Sequence, residues 1–227
     1  MPGDKCEREL KMKVLAFNGS PRKKWNTATL LNKALEGAAS QGADTELIHL
    51  YDLNYRGCLS CFSCKKKGGR SYGKCAARDD LSPILEKVEE ADALLLGSPI
   101  YFGTVSGEMR SFMERLIFPY HVYSYPPRSL FPRKIKTAFI YTMNFDEEWM
   151  EKLGYDKTFL STQMTLENIF GSSEFLCSCD TYQFEDYSKV VMEMKLFNPE
   201  KKAKRREEVF PLDCQKAFQM GAGLTRK

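Results

Sequence analysis

The stretch "KVLAFNGSPRKKWNTATLLNKALEGAASQG", residues 13–42, contains a strand-like segment, a loop and a helix-like segment in direct succession. Residues 13–19 are a short apolar run closed by a glycine, which predicts a buried β-strand. Residues 27–42 place apolar side chains at helical spacing and end at a glycine, which predicts a helix. A strand that leads at once into a helix is the repeating unit of a parallel sheet.

The same alternation continues along the chain and amounts to five strand–helix repeats. It predicts an α/β fold with a doubly wound parallel sheet and helices on both faces. Ser82 is the expected N-cap of the second helix with Pro83 at its first position, and Pro211 is expected to kink or split the last helix. Strands are predicted at 13–19, 44–53, 93–98, 135–143 and 173–182, and helices at 27–42, 80–92, 106–117, 157–171 and roughly 199–221.

Length and composition predict one domain, residues 1–227, with a C-terminal helical extension from about 183. The net charge of +4 is too small to imply a nucleic-acid partner, and the basic run 201–208 contains two glutamates and indicates a solvated helix face. The N-terminus has no apolar signal segment, and no stretch has the length of a membrane span. A cytoplasmic, reducing environment without membrane attachment is therefore expected, and clustered cysteines there are typically metal ligands or redox groups.

The loop after the first predicted strand, "NGSPRKKWNTATL" at 18–30, carries groups that suit a phosphate dianion. Ser20, Asn26 and Thr27 offer side-chain hydrogen bonds, and Arg22 offers a positive charge. The free backbone N–H groups at the start of the following helix point the same way. The loop matches neither the dinucleotide nor the nucleoside-triphosphate motif. A capped helix after a tight turn is the alternative interpretation.

The loop after the third predicted strand, "GSPIYFGTVSG" at 97–107, is aromatic and contains glycines. Two aromatic faces and a glycine that permits close backbone approach would suit a flat ligand, although ordinary packing is an open alternative. The residues concerned are Pro99, Ile100, Tyr101, Phe102 and Gly103.

Four of the eight cysteines occur in "GCLSCFSCKKKGGRSYGKC", residues 57–75, as C-x2-C-x2-C-x10-C. Three cysteines at this spacing with a fourth further on are typical of a [4Fe–4S] cluster. A zinc site usually pairs two C-x2-C units, and a redox dithiol needs only two thiols. Zinc, a dithiol and a metal-free loop nevertheless stay open as alternatives. The candidate metal ligands are Cys58, Cys61, Cys64 and Cys75.

Taken together, "GSPRKKWNTATL", "CLSCFSC" with "GKC", and "LLLGSPIYFGTVSGEMRSFMERL" resemble the iron–sulfur flavoprotein family, in the NADPH-dependent FMN reductase branch of the flavodoxin-like proteins. The resemblance spans roughly residues 12–145 and implies a five-stranded sheet in the order 2-1-3-4-5. The family pattern has a shorter gap before the fourth cysteine, and it often has a small residue at the position of Trp25, which is left out of the site.

The resemblance implies FMN as cofactor. It places the phosphate at Ser20, Arg22, Asn26, Thr27 and the Ala28 amide, the isoalloxazine against Pro99, Ile100, Tyr101, Phe102 and Gly103, and Thr142, Met143 and Asn144 on another side of the ring.

The function implied is electron transfer between a one-electron carrier, such as ferredoxin or flavodoxin, and another acceptor, through FMN and a [4Fe–4S] cluster. The basic insert 65–74 would steer an acidic carrier, or it is a flexible solvated loop. An NAD(P)H-dependent reductase of FMN or quinones without a cluster is the first alternative, with the aromatic linker 118–134 as a lid or a dimer wall. A non-catalytic module with structural zinc is the second.

No catalytic side chain is assigned from the sequence. A homo-oligomer, dimer or tetramer, is expected from the aromatic segments near the flavin face and from the resemblance. The remaining cysteines are interpreted as buried, inert thiols. They are Cys6, Cys177, Cys179 and Cys214.

Overall fold

A computed structural model describes residues 11–191 and 198–226. Five parallel strands form the sheet in the order β2-β1-β3-β7-β8, which confirms the predicted doubly wound topology. A two-residue strand, β4, pairs antiparallel with the end of β3, and β5 pairs with β6 in a small separate ribbon. The strands are β1 Lys13–Asn18, β2 Asp44–His49, β3 Ala93–Tyr101, β4 Thr104–Val105, β5 His121–Val122, β6 Arg128–Ser129, β7 Ile135–Thr142 and β8 Gly171–Ser178. The α-helices are α1 Asn26–Ser40, α2 Leu81–Glu90, α3 Gly107–Ile117, α4 Glu147–Lys152, α5 Tyr155–Phe170, α6 Pro199–Glu208 and α7 Phe210–Leu224.

The central strands are buried on both faces because helices cover each side. In β1, Leu15 and Phe17 join the core beneath α2 and α3, whereas Val14 and Ala16 join the core beneath α1 and α7. The alternation follows from the two-residue period of a strand. It explains why the central strands read as continuous apolar runs.

Helices α1 and α7 approach closely through two glycines. A Cβ at Gly221 would lie 1.7 Å from the Ala34 carbonyl oxygen, and a Cβ at Gly37 would lie 1.9 Å from the Phe218 carbonyl oxygen. Only hydrogen fits at these two contacts, so the C-terminal helix is fixed against the helix that begins at the phosphate loop.

Several predicted boundaries are wrong, for local physical reasons. Strand β2 ends at His49, because Leu50–Asp52 turn into a 3-10 helix. Strand β3 continues to Tyr101, since the tight turn into β4 keeps its last residues paired.

Two helix ends also differ from expectation. The N-cap of α2 is Asp80, not Ser82, whose hydroxyl instead bonds back to the Ala77 carbonyl, and Pro83 is therefore the third helical residue. The predicted C-terminal helix divides into α6 and α7 just before Pro211, as expected for a residue that is tolerated only in a first turn.

The basic run 201–208 is not simply a solvated helix face. Lys202 is 2% exposed, and its Nζ lies 2.5 Å from Asp180 Oδ1 and 3.1 Å from the Asn144 carbonyl oxygen. Buried ionic groups need such partners. The prediction failed because charge composition does not show which side of α6 packs against the segments that follow β7 and β8.

The linker 118–134 is partly ordered by a 3-10 turn, Phe118–Tyr120, and by the β5–β6 ribbon. No helix in the described ranges is both long and apolar enough to cross a membrane. Cys6 lies outside the described residues.

Candidate functional site

The start of α1 is open to an anion. No side chain caps this helix, and its first turn holds no acidic residue. Asn26, Thr27 and Ala28 supply the first backbone N–H groups, and Ser20 Oγ accepts from the Arg22 N–H at 3.2 Å. An uncapped helix start has unsatisfied donors and a partial positive charge. The five residues predicted for the phosphate therefore lie around one positive helix end.

Asn18 shapes the beginning of this loop. Its Oδ1 accepts from the Ser20 N–H at 3.0 Å, so its Nδ2 faces His49 Nδ1 at 2.9 Å. His49 Nδ1 must then be the acceptor, which is the neutral tautomer with the proton on Nε2. Burial lowers the pKa of His49. Sequence reasoning missed both residues, although each one ends a strand of the site.

The aromatic loop is a tight hairpin between β3 and β4. Phe102 and Gly103 both have positive φ, at 50° and 83°, and the Phe102 side chain is fully exposed. A bulky residue in this region is strained, and such strain is typical of functional sites. A Cβ at Gly103 would lie 3.0 Å from the Tyr155 ring. Pro99 and Ile100 lie just before the turn, with Tyr101 half-exposed beside it.

Backbone contacts hold the phosphate loop against the aromatic loop. The Gly19 N–H donates to the Gly97 carbonyl at 2.8 Å, and a Cβ at Gly19 would lie 2.7 Å from the Met109 Cβ. Ser106 caps α3, and its hydroxyl also donates to the Gly19 carbonyl at 2.6 Å. Ser98 Oγ accepts from the Ser106 N–H at 3.0 Å. Ser98 and Ser106 are positioning residues that the sequence did not single out.

The third predicted segment lies beside the phosphate loop. Thr142 Oγ1 and Thr27 Oγ1 are 2.8 Å apart, so the ends of β7 and α1 touch directly. Met143 is buried, and its backbone pairs with Ser178 and Thr181. Asn144 Oδ1 is a buried oxygen without a hydrogen-bond partner among the described residues. An unpaired buried acceptor calls for an explanation, and a bound group is one.

Residues after β8 also reach the phosphate loop. Asn26 Nδ2 and Trp25 Nε1 both donate to the Tyr182 carbonyl oxygen, at 2.7 and 3.1 Å. The Arg22 guanidinium donates to the Gln183 carbonyl at 2.6 Å and stacks over the Trp25 ring. Trp25, which the sequence interpretation left out, therefore helps to anchor this loop.

All four candidate ligand cysteines line one cavity of about 320 Å³. Cys58 and Cys61 are exposed, Cys75 is half-buried and Cys64 is buried. The sequence predicted this grouping, and the structure brings the four residues together around a space. No group of three or more His, Cys, Asp or Glu residues in the described ranges is close enough to hold a single metal ion.

The backbone of this loop is unusual at two non-glycine residues. Ser60 and Phe62 have φ of 52° and 55°. Left-handed residues in a short loop can turn successive N–H groups toward one point, which favours a bound anion. Hydrogen bonds from the backbone and hydroxyl of Ser63 lower the pKa of the Cys61 thiol, whereas burial raises the pKa of Cys64.

Arg115 of α3 donates from Nε to Cys75 Sγ at 3.3 Å. It is 2% exposed and forms a bidentate pair with Asp79, at 2.5 and 2.9 Å. Burial opposes ionisation of Asp79, but the Arg115 guanidinium outweighs it and holds the pKa of that carboxyl below its ordinary value. Sequence reasoning missed Arg115, whose only signal was an arginine among the buried positions of α3.

Two further side chains attach the cysteine loop to its neighbours. Glu114 Oε2 accepts from the Cys58 N–H at 3.1 Å, and a Cβ at Gly57 would lie 2.8 Å from the same oxygen. Lys65 donates to the backbone carbonyls of Phe118, Pro119 and His121. The first residue of the basic insert is thus a structural anchor to the linker.

The other described cysteines lie away from this cavity. Burial raises the pKa of Cys177 to about 12 and also raises the pKa of Cys179 and of Cys214. Thiols with raised pKa values are poor nucleophiles at neutral pH. The raised pKa values agree with the interpretation of these thiols as inert, but only Cys179 is buried, whereas Cys177 and Cys214 are half-buried.

Residues 12–141 match the family model described as NADPH-dependent FMN reductase. A curated iron-sulfur flavoprotein of Methanocaldococcus jannaschii is 43% identical over 104 residues, which is 46% of this chain and 51% of that protein. An iron-sulfur flavoprotein of Archaeoglobus fulgidus is 41% identical over 104 residues, 46% of this chain and 48% of that protein. The chain spans about half the length of the curated relatives it matches.

Solved structures share the fold. An NAD(P)H:quinone oxidoreductase from Methanothermobacter marburgensis superposes with a TM-score of 0.69 at 16% identity, over 94% of this chain and 99% of that one. An FMN-dependent NADH-azoreductase from Bacillus anthracis, solved with FMN, superposes with a TM-score of 0.60 at 11% identity, over 94% and 100%. At these identities the likeness establishes the flavodoxin-like architecture.

Proposed function

The chain belongs to the NADPH-dependent FMN reductase family, and from that premise we propose that it is an FMN-dependent oxidoreductase that also carries a [4Fe–4S] cluster. The observation that carries the proposal is the pairing of two sites in one chain. One is an uncapped helix start beside an aromatic hairpin, and the other is a cavity lined by four cysteines.

FMN fits the first site by its donor set. The α1 N–H groups, Ser20 Oγ and Arg22 would hold the phosphate, as an anion at a helix N-terminus requires. The strained hairpin at Phe102 and Gly103 would face the isoalloxazine. On another side, Thr142, Met143 and Asn144 would approach the flavin, and the unpaired Asn144 Oδ1 would accept a hydrogen bond there.

An iron–sulfur cluster fits the second site by size and by charge. The cavity is larger than one ion needs, and it is lined by four sulfur donors and apolar side chains. Arg115 donates to Cys75 Sγ, and the left-handed residues Ser60 and Phe62 turn the backbone around the exposed cysteines. Cys58, Cys61, Cys64 and Cys75 would be the ligands.

When bound, FMN would exchange electrons either one at a time or in pairs as hydride, and the cluster would exchange them one at a time. The protein's own contribution is to present the flavin site at the edge of the sheet, to attach the cysteine loop through side chains such as Arg115 and Lys65, and to keep the cysteine cavity partly apolar. Lys66, Lys67 and Arg70 are exposed beside that cavity and would attract an acidic electron carrier of the ferredoxin or flavodoxin type. NAD(P)H is the alternative donor.

A homo-oligomer, dimer or tetramer, is part of the same proposal. Phe102 is fully exposed at the hairpin, and Leu153, Leu160 and Met164 are exposed on α5 and the turn that precedes it. Apolar groups of this kind are often covered by another subunit. Light scattering on the Phe102→Ser variant would give a smaller particle than the wild type, and an unchanged mass would remove Phe102 from the interface.

Replacement of one exposed cysteine tests the cluster assignment. The Cys61→Ala variant, purified without oxygen, is expected to lose its iron and keep its FMN, because Cys61 is exposed and lines a cavity that includes no residue of the loop 18–30. Cys214→Ala is the matched control and should keep both. Full iron content in Cys61→Ala would show that the ligand set is wrong.

A second candidate function is favoured by the family description, which names NADPH. In this alternative the cysteines are metal-free, and NADPH reduces the flavin directly. Rapid mixing of NADPH with the Cys61→Ala variant distinguishes the two. If NADPH bleaches the flavin of the variant at the wild-type rate, the reductase is supported. If instead a ferredoxin-type donor reduces the flavin of the wild type but not that of the variant, the cluster is supported.

A further inference from the structure

We propose that Arg206 of α6 is a specificity-determining residue that selects the phosphorylated flavin over its dephosphorylated form. The inference rests on the proposed FMN site and concerns a part of the chain beyond residues 12–141, which match the family model. Arg206 donates from its guanidinium to Asn26 Oδ1 at 2.9 Å.

Asn26 is the first residue of α1 and is 6% exposed. Its Nδ2 is already engaged by the Tyr182 carbonyl at 2.7 Å, and Arg206 engages its Oδ1. The guanidinium therefore lies one amide group away from the helix start that would hold the phosphate. A cation at that place adds to the positive end of the helix.

The charges around the helix start are unbalanced. Arg22 bonds to a backbone carbonyl and stacks on Trp25, and Arg206 bonds to an amide and stacks on Phe210 at 4.1 Å. Within the described residues, neither guanidinium forms an ion pair with a carboxylate, whereas their neighbours Lys23 and Arg205 do. Both residues are exposed, and two unneutralised cations beside a positive helix end favour a bound anion such as a phosphate dianion.

Helix α6 is held firmly enough to make this contact specific. Lys202, one turn before Arg206, is buried against Asp180 and the Asn144 carbonyl. Arg205 contacts Asp213, which is itself buried. Lys202 and Arg205 thus fix the register of α6, which places Arg206 on the side of the helix that meets Asn26. The residue is exposed, and its guanidinium is held there by Asn26 Oδ1 and the Phe210 ring.

A phosphate and a hydroxyl differ in charge, so the contribution of Arg206 should be confined to FMN. The attraction between this cation and a bound phosphate is electrostatic, and a neutral hydroxyl feels almost none of it. Arg206→Ala is therefore expected to weaken FMN binding about tenfold and riboflavin binding less than about twofold.

The test is a titration of the full chain with FMN and with riboflavin, followed by quenching of flavin fluorescence. Lys204→Ala is the matched control, because Lys204 lies on the same helix, is exposed, and has Glu208 at 4.0 Å as its one ion-pair partner among the described residues. It removes the same charge and should leave both affinities within about twofold. Arg206→Lys should recover part of the FMN affinity.

Equal losses for both flavins in Arg206→Ala would overturn the inference, since they would mean that Arg206 only positions Asn26. Unchanged FMN affinity would overturn it as well. A wild-type chain that binds neither flavin would refute the proposed FMN site and this inference with it. Normal wild-type binding without a flavin-specific effect would refute the inference alone.

Discussion

The loops around the helix start and the cysteine loop differ in what holds them. The first are fixed by the sheet itself, through Gly19 and Gly97 backbone atoms and the Thr27–Thr142 contact. The cysteine loop leaves the sheet altogether and is attached by side chains, chiefly Arg115 and Lys65. The site at the helix start is therefore formed by backbone contacts of the sheet, whereas the cysteine site depends on side-chain contacts between its loop and the rest of the protein.

Under the proposed function, this difference separates the two cofactor sites energetically. A pre-formed phosphate site needs little reorganisation on binding, because its donors are already oriented. By contrast, the cysteine loop has left-handed backbone at Ser60 and Phe62, and a cluster bound to its cysteines would stabilise this strained conformation. We therefore expect changes at the helix start to alter flavin affinity and changes at the cysteine loop to alter local order.

The largest effect, on the free energy of unfolding, is expected from removal of the Arg115 side chain, which attaches the cysteine loop to α3. Arg115→Met leaves Asp79 partly buried without its partner and removes the donor to Cys75 Sγ. Breaking a buried ion pair costs about 3–5 kcal/mol. Chemical denaturation should show this loss, and Arg110→Met, an exposed arginine on the same helix, should stay within about 0.5 kcal/mol. Equal stability of the two variants would mean that Arg115 is not a tether.

A smaller effect is expected where the two flavin loops meet. In Gly19→Ala the new Cβ would lie 2.7 Å from the Met109 Cβ and 3.2 Å from the Gly97 carbonyl oxygen. Such overpacking costs about 1–3 kcal/mol and should weaken FMN binding while iron content stays constant. Gly107→Ala is the control, since its Cβ would meet nothing within 4 Å. A stable, fully flavin-binding Gly19→Ala protein would show that the loops can move apart.

Removal of iron by a chelator should act locally. Hydrogen exchange is expected to rise in residues 57–75, because side-chain tethers alone do not order the strained loop. Residues 18–30 should keep their protection, since backbone and buried contacts hold them. Hydrogen exchange that rises equally in residues 57–75 and 18–30 would contradict the expectation that only the cysteine loop depends on its bound group for order.

The smallest effect is expected from acid. Burial lowers the folded-state pKa of His49 below its ordinary value of 6.5, and Asn18 donates to its Nδ1. Protonation therefore favours the unfolded or loosened loop, so stability is full above about pH 6.5 and falls below it. FMN affinity should fall by about 0.5–1.5 kcal/mol on acidification, as one hydrogen bond is lost. His49→Gln, which offers an oxygen acceptor, should lose less FMN affinity than the wild type between pH 7 and 5, since only the titration of the phosphate itself remains.

The sheet and its edge were predictable because their signals are local and repeated. Apolar runs that end at Gly19 and near Gly97 indicate β1 and the first half of β3, and parallel strands bring their following loops to one edge. The C-x2-C-x2-C spacing likewise placed four cysteines around one cavity. These inferences need no knowledge of long-range side-chain contacts.

The residues that sequence reasoning missed act across long separations in the chain. Arg115 meets Cys75 forty positions earlier, and Arg206 meets Asn26 from 180 positions away. Neither belongs to a motif, and charge composition alone assigned the α6 basics to solvent. Ser106 was visible as a helix start, but its second bond to the Gly19 carbonyl depends on how the loops pack.

The most direct test of the account is the visible spectrum of the full chain purified without oxygen, paired with flavin, iron and zinc analysis. The account predicts flavin bands with a broad cluster absorption, one FMN and about four irons per chain. One zinc per chain without flavin would contradict both sites. FMN without any metal would contradict the cluster and leave the flavin-dependent reductase.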